Sequence, residues 1–306
     1  MQKAASNTSG VTVVIPSYNR RDSVLLLLDD LMRQEGIELE IIIVDDKSPD
    51  DTNRQIRAKF PQVRILENSV NSGPAFSRNE GIRAATHECI LGLDSDVRVP
   101  DTRLAAKIIH RFEQHPEASM LALRVIGPDG VSDDMPRWCH PFPAEGYAQH
   151  HVWTDYFSGT GYAGRKHKLI EAGLFPSILY MHHEEVELAY RMLDIGGAIL
   201  HCPDLLVHHF PHPVANRGRV EIYFHPRNQV LIAFGLFPTA YAFLHLLPRT
   251  AFQLLRSIVK GYFPTYLRAI RDAIKMLPER METSRRLKPQ TRRRIRRLRA
   301  TPAVLS

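Results

Sequence analysis

Four short apolar runs, separated by loops and helical patterns, are what most constrain this chain, because three of them end in polar clusters. Val11-Thr12-Val13-Val14-Ile15 runs into Pro16-Ser17-Tyr18-Asn19-Arg20, and Leu39 to Val44 delivers Asp45-Asp46-Lys47-Ser48-Pro49-Asp50-Asp51-Thr52. Val63 to Leu66 makes a third run, and Cys89 to Leu93 leads into Asp94-Ser95-Asp96. Short apolar runs bounded by turn signals read as buried strands. After the first, Val24, Leu27, Leu28 and Leu31 recur at helical spacing, widened by Leu25 and Met32, with Asp22 as the expected cap. Loop Asn68 to Gly73 leads into a helix over Pro74 to Ala85, where Pro74 suits the first turn. Strand alternating with helix predicts a parallel sheet covered by helices, with ligands at the carboxyl ends of the strands. The clusters Pro16 to Arg20, Asp45 to Thr52 and Asp94 to Asp96 should therefore converge on one crevice.

Side chains at i and i+2 of an extended segment point the same way, so Asp94 and Asp96 are expected to face one cation or one ligand. Hard cations such as Mg2+ favour carboxylate oxygens and bridge to phosphates. The first turn has no Gly-x-Gly-x-x-Gly and the chain no Gly-x-x-x-x-Gly-Lys-Ser/Thr, which argues against a dinucleotide enzyme or a P-loop NTPase.

Val13 to Arg20, Ile43 to Thr52, Asn71-Ser72-Gly73 with Ser77-Arg78-Asn79-Glu80-Gly81, and Leu93 to Asp96 together resemble the family 2 glycosyltransferases of the GT-A fold. The likeness continues at Gly159 to Phe175, Glu184 to Arg191, Val207-His208 and Arg227-Asn228, covering about residues 11 to 235. It implies an α/β fold with a Rossmann-like mixed sheet and a C-terminal helical extension. The implied activity is transfer of a sugar from a nucleotide-diphosphate donor to the hydroxyl of a carbohydrate or lipid-linked acceptor, with inversion. By the same resemblance Pro16, Tyr18, Asn19, Asp46, Gly73, Arg78 and Asp94 meet the donor. Asp46 falls on the base or ribose, and Asp45 is a structural partner. Asp94, Asp96 and His208 are the implied ligands of Mn2+ or Mg2+, an imidazole tilting the choice towards Mn2+. Gly159, Gly161 and Glu184 fall on the acceptor side.

Direct displacement needs a base for the acceptor proton, and Glu185 is the candidate. The family's usual pair here is Glu-Asp, whereas this chain has Glu184-Glu185, one methylene longer. Clustered like charge should raise one carboxyl's pKa, and Glu187 and Arg191 are spaced to pair at i, i+4. Arg227-Asn228 and its apolar sequel resemble rhamnosyltransferase-like members, which implies cell-surface polysaccharide or glycolipid assembly. Two rivals stay open: a metal-dependent nucleotidyltransferase, and a catalytically degenerate membrane-associated binding protein.

The net charge of +7 belongs to the end of the chain: residues 279–306 hold ten Lys/Arg against two Glu, +8, leaving −1 for the rest. A nucleic-acid face on the body is therefore not expected. Val230 to Leu247 is uncharged and mostly apolar, interrupted by Gly235 and Pro238. It is read with the rest of 236–278 as interfacial helices drawn to an anionic membrane surface, or alternatively as a helical pair packed on the catalytic part with a disordered basic tail at 279–306. Residues 127–157 look like an insertion whose Trp138, Phe142, Tyr147, Trp153 and Tyr156 could stack on a ligand or merely pack. The polar segment 1–10 reads as disordered and unlike a signal peptide. With three widely spaced cysteines, a cytoplasmic setting, free or peripheral at the inner face of the membrane, is expected.

Overall fold

The computed structural model describes residues 10–212 and 216–305, so nearly all of the segment expected to be disordered lies outside the described residues. The four apolar runs become β1 (Gly10–Ser17), β2 (Glu38–Asp45), β3 (Arg64–Glu67) and β4 (Cys89–Leu93), parallel neighbours in the order β4-β1-β2-β3. β5 (Val97–Arg98), β6 (Met120–Ile126), β7 (Val152–Thr154), β8 (Gly161–Arg165), β9 (Ile199–His209) and β10 (Ala303–Val304) follow. The mixed sheet runs β10-β7-β9-β6-β8-β4-β1-β2-β3, with β5 paired to β9. β8 is antiparallel to both β4 and β6, which reverses the sheet just where β4 ends.

Alternate residues of a strand face opposite sides, and here both sides are covered. Val11, Val13 and Ile15 pack with Leu27 and Leu28 of helix Arg21–Leu31 and Ile108 of helix Leu104–Gln114. Val14, Ile42 and Ile90 pack on the other side with Ile82 of helix Pro74–Ala84 and Met192 of helix Glu184–Asp194. That double burial is why the runs are continuously apolar rather than alternating.

Two local expectations are corrected, and a third observation concerns the insertion. β4 stops at Leu93, so Asp94-Ser95-Asp96 forms the turn into β5 and is not extended. The first helix starts at Arg21, so Asp22 lies inside its first turn, bonded to Arg21 at 2.8 Å, and caps nothing. Three of the insertion's aromatics pack on one another: Trp138 lies 5.7 Å from Phe142, which lies 5.2 Å from Tyr147.

Beyond β9 come helices Arg217–Leu236, Thr239–Val259, Phe263–Thr283 and Pro289–Ala300. Pro238 separates the first two, and among the described residues no helix is long and apolar enough to cross a membrane. The basic end is folded back instead of trailing. Thr291 Oγ1 and the Lys288 amide donate to Asp194 at 2.6 and 2.8 Å, Arg299 Nε donates to Asp155 at 2.6 Å, and β10 pairs with β7.

The deepest tie is Arg280, whose Nη2 lies 2.6 Å from Glu187 Oε2 with both side chains buried. Glu187 also lies 3.4 Å from Arg191, the expected i, i+4 pair. Removing one member of a buried pair leaves a poorly compensated charge, so Arg280→Ala should lower stability by about 3 kcal/mol in urea titration. A loss within ±0.5 kcal/mol, the range of an ordinary surface substitution, would show that this tie is dispensable.

Candidate functional site

The carboxyl ends of β1, β2 and β4 converge on one cleft of about 280 Å³, lined by Pro16, Tyr18, Asp46, Asp94, Asp96 and Tyr180. Arg20, not Asn19, reaches its wall; Asn19 has φ +53° and uses its amide to donate to Ser48 Oγ at 2.9 Å.

Asp46 is buried in the cleft wall, where its carboxylate accepts from the Ser72 and Gly73 amides at 2.8 and 2.7 Å and from Asn68 Nδ2 at 2.8 Å. It therefore organises the whole Asn68–Gly73 loop. Gly73 closes that loop with φ +86°, and a Cβ there would stand 2.7 Å from the Tyr180 ring. Asp45 is structural as expected, accepting from the Ser48 amide at 3.1 Å.

Arg78 is the hub. Buried in helix Pro74–Ala84, it donates through Nη2 to Asp94 Oδ1 at 2.7 Å and through Nη1 to Glu184 Oε1 at 3.0 Å. Thr160 Oγ1 donates to the other Asp94 oxygen at 3.0 Å, so Asp94 is held on both sides. Burial pushes the Asp94 carboxyl up, but Arg78 and then Arg137 outweigh it and hold the pKa below the ordinary value. Glu184 goes the other way: burial first, then the Glu185 charge, push it up to about 8 against the pull of Arg78. Its Oε2 is buried with no hydrogen-bond partner among the described residues. The raised carboxyl of the pair is thus Glu184.

Glu185 is half-buried one residue further on, its Oε1 accepting from the Gly159 amide at 3.3 Å. A Cβ on Gly159 would stand 2.6 Å from Glu185 Oε1 and 2.7 Å from Arg78 Nη2, so only glycine fits between them. The turn before this helix is strained: Tyr180, His182 and His183 have φ +63°, +66° and +69°. Such residues persist only where their surroundings hold them. Asn228 Nδ2 lies 3.1, 2.7 and 2.7 Å from the carbonyls of Leu179, Met181 and His182, and Arg227 Nη2 donates to Leu179 O at 2.7 Å.

Two expected residues lie elsewhere. Gly161 opens β8 inside the sheet, opposite Leu93, where a Cβ would meet Val207 Cγ2 at 3.0 Å, so it offers an acceptor no surface. His208 projects from the opposite face of β9 to His209, near the Gly130 backbone, and is not brought to Asp96. The imidazole beside Asp96 is His209, its Nε2 lying 3.6 Å from Asp96 Oδ1 and its Nδ1 bonded to Asp134 Oδ2 at 2.6 Å. Burial lowers its pKa, but Asp96 and then Asp134 more than reverse this and raise it. A carboxylate behind one ring nitrogen, with the other buried and unbonded, is the arrangement of a metal-ligating histidine. Asp96 and His209 therefore offer one oxygen and one nitrogen ligand to a divalent cation, and no cluster of three or more His, Cys, Asp or Glu side chains stands together among the described residues. The signal was available in the strand period: Leu205, Val207 and His209 share the buried face of β9. Asp134 and Arg137 come from the insertion and carried no local signal.

Comparison with known proteins agrees with this architecture. The family model described as "Glycosyl transferase family 2" matches residues 12–173, just over half of the chain. The succinoglycan biosynthesis protein ExoO of Rhizobium meliloti is 34% identical over 130 residues, 42% of this chain and 37% of that protein. The poly(ribitol-phosphate) beta-glucosyltransferase of Bacillus spizizenii is 34% identical over 137 residues, 43% of this chain and 22% of that one. The chain thus matches little more than a third of these curated relatives at most. Among solved structures, the mannosyltransferase PcManGT from Pyrobaculum calidifontis, in complex with GDP-Man and Mn2+, superposes with TM-score 0.56 at 22% identity over 95% of this chain and 84% of that one. TarS 1-349 of S. aureus in complex with UDP-GlcNAc gives TM-score 0.61 at 17% identity, covering 89% and 83%. These likenesses show the GT-A fold.

The Glu184 site sets a pH dependence of stability. Folding lifts this carboxyl from its ordinary 4.5 to about 8, so across that window the folded chain keeps a proton that the unfolded chain has lost. Stability therefore falls as pH rises through it. Glu184→Gln should flatten that part of the profile in thermal melts taken across the window, and an unchanged slope would place the proton elsewhere.

Proposed function

The chain belongs to glycosyl transferase family 2, and from that premise we propose that it is an inverting glycosyltransferase moving a sugar from a nucleotide-diphosphate donor to an acceptor hydroxyl. The observation that carries the reading is Arg78, which ties Asp94 on the donor side to the helix start that bears Glu185. Donor and base are thereby fixed in one frame, which is what in-line displacement requires.

In this reading Tyr18 and Tyr180 flank the nucleotide, Gly73 and the loop ordered by Asp46 shape its pocket, and Arg20 offers a guanidinium to the diphosphate. Asp96 and His209 would hold a cation, with Asp94 supporting the turn; an imidazole in the set would favour Mn2+ over Mg2+. When bound, such a cation neutralises charge developing on the leaving diphosphate. Glu185 takes the acceptor proton while the hydroxyl oxygen bonds to the anomeric carbon and the bond to the diphosphate breaks. The Gly159 amide, 3.3 Å from Glu185 Oε1, helps fix that carboxylate. Residues 11–235, completed by helix Arg217–Leu236, form the catalytic unit. The acceptor is a carbohydrate or lipid-linked glycan of cell-surface assembly, met at the inner face of the membrane.

A thermal-shift panel of nucleoside diphosphates and nucleotide sugars, with and without Mn2+ or Mg2+, tests the donor site. One nucleotide should stabilise the chain in a metal-dependent way, and Asp96→Ala should abolish that dependence; no stabilisation by any of them would overturn the reading. Asp134→Asn, which touches no ligand, should weaken the metal response about 10- to 100-fold by releasing His209. For the base, Glu185→Gln should keep donor binding and lose roughly 10²- to 10⁴-fold in transfer. Full transfer in that variant would remove Glu185 from the mechanism.

A further inference from the structure

Helix Thr239–Val259 is built inside out. Its buried face carries Ala242, Leu246, Gln253 and Ser257, with Gln253 at 6% and Ser257 at 0% exposure. The face turned away from the protein carries Leu244, Leu247, Leu255 and Ile258, at 74%, 71%, 62% and 54% exposure. Those four fall at i, i+3, i+11 and i+14, a single helical face, and no charged residue interrupts it. A helix in water places its apolar stripe inwards; here the polar amide and hydroxyl are inside and the leucines outside. Leu267 and Ile274 of the next helix, Phe263–Thr283, are also exposed, at i and i+7. A contiguous exposed apolar surface of this kind marks an interaction site.

The charge around it selects the partner. Helix Thr239–Val259 contains no acidic residue, and residues 239–286 hold nine Lys/Arg against three Asp/Glu. Arg271 and Lys275 lie beside the Leu267–Ile274 stripe, while Arg249 and Lys260 stand on the far side of helix Thr239–Val259 from the leucines, all four exposed. A second copy seated on this face would bring two basic rims together. An anionic lipid surface meets both features, the acyl boundary taking the leucines and the headgroups the basic rim. None of the described helices can span, so the hairpin lies in the plane of the membrane.

We propose that helices Thr239–Val259 and Phe263–Thr283 form an in-plane docking face for an anionic bilayer, with Leu244, Leu247, Leu255 and Ile258 inserted. This names the surface behind the peripheral location proposed above, and it stands whether or not the cleft transfers sugar.

The test is flotation of the full chain with vesicles of phosphatidylcholine alone and with added phosphatidylglycerol. Wild type should float with the phosphatidylglycerol vesicles, less so at high salt. Changing Leu244, Leu247, Leu255 and Ile258 together to Ser should cut partitioning at least about tenfold, while the melting temperature and nucleotide-induced stabilisation persist. Arg271→Glu with Lys275→Glu should remove the preference for the anionic lipid. The proposal is overturned if wild type floats with neither vesicle, if the serine variant floats like wild type, or if both vesicles bind alike. It is equally overturned if light scattering shows a dimer that the serine variant dissociates and no vesicle is bound, since a second copy would then cover the face. Loss of nucleotide stabilisation alone would count against the donor site and leave the docking face intact.

Discussion

A guanidinium at 4% exposure cannot be left without partners, and Arg78 is met by the Asp94 carboxylate, which supplies the counter-charge, and by the Glu184 carboxyl, from distant parts of the chain. Desolvating an arginine costs several kcal/mol unless its hydrogen bonds are made. Asp94 after β4 and Glu184 at a helix start must therefore stand within reach of one side chain in helix Pro74–Ala84. Much of the site's remaining geometry follows. Thr160 fixes the second Asp94 oxygen, Gly159 must lack a side chain to pass between Arg78 and Glu185, and Glu184 is pressed into a pocket that favours its protonated form. One buried cation thus decides where two carboxyl groups sit and leaves Glu185 half-buried beside them, against Gly159.

The fold was largely legible, because β1, β4 and the second half of β2 are buried on both faces and declare themselves as apolar runs with polar ends. The convergence of those ends was legible for the same reason. What was hidden are positions set by distant partners. Asp46 looks like a ligand contact from its place after β2, and only the folded loop reveals that three donors already meet it. His208 and His209 differ by one residue, yet one residue in a strand exchanges the faces of the sheet. Gly161 belongs to a glycine-rich stretch that reads as a binding loop, whereas antiparallel pairing with β4 takes it into the sheet. Asp134 and Arg137 sit in an irregular insertion with no period to read.

The basic end was misjudged in part for a related reason. A run of arginines without an apolar face reads as solvated, but single partners can fold it. Asp194 takes the Lys288 amide and the Thr291 hydroxyl, Asp155 and the backbone of Gly197 each take one arginine from 288–299, and Ile295 supplies a buried anchor. Arg280 goes deeper and reaches Glu187, one turn along the helix whose first turn carries Glu184 and Glu185.

That last contact joins the two ends of the molecule's chemistry. The helix Phe263–Thr283 presents Leu267 and Ile274 outwards and Arg280 inwards, so its inner side is tied to helix Glu184–Asp194 through Glu187. Asn228, from the neighbouring helix Arg217–Leu236, meanwhile clamps the strained turn at Met181 and His182 that aims Glu184-Glu185. The strain of three left-handed non-glycine residues is sustained only while these clamps hold. The C-terminal helices are therefore part of the site's construction: they hold the turn that leads into Glu184-Glu185, and the side they turn away from it is the one whose leucines lack protein cover.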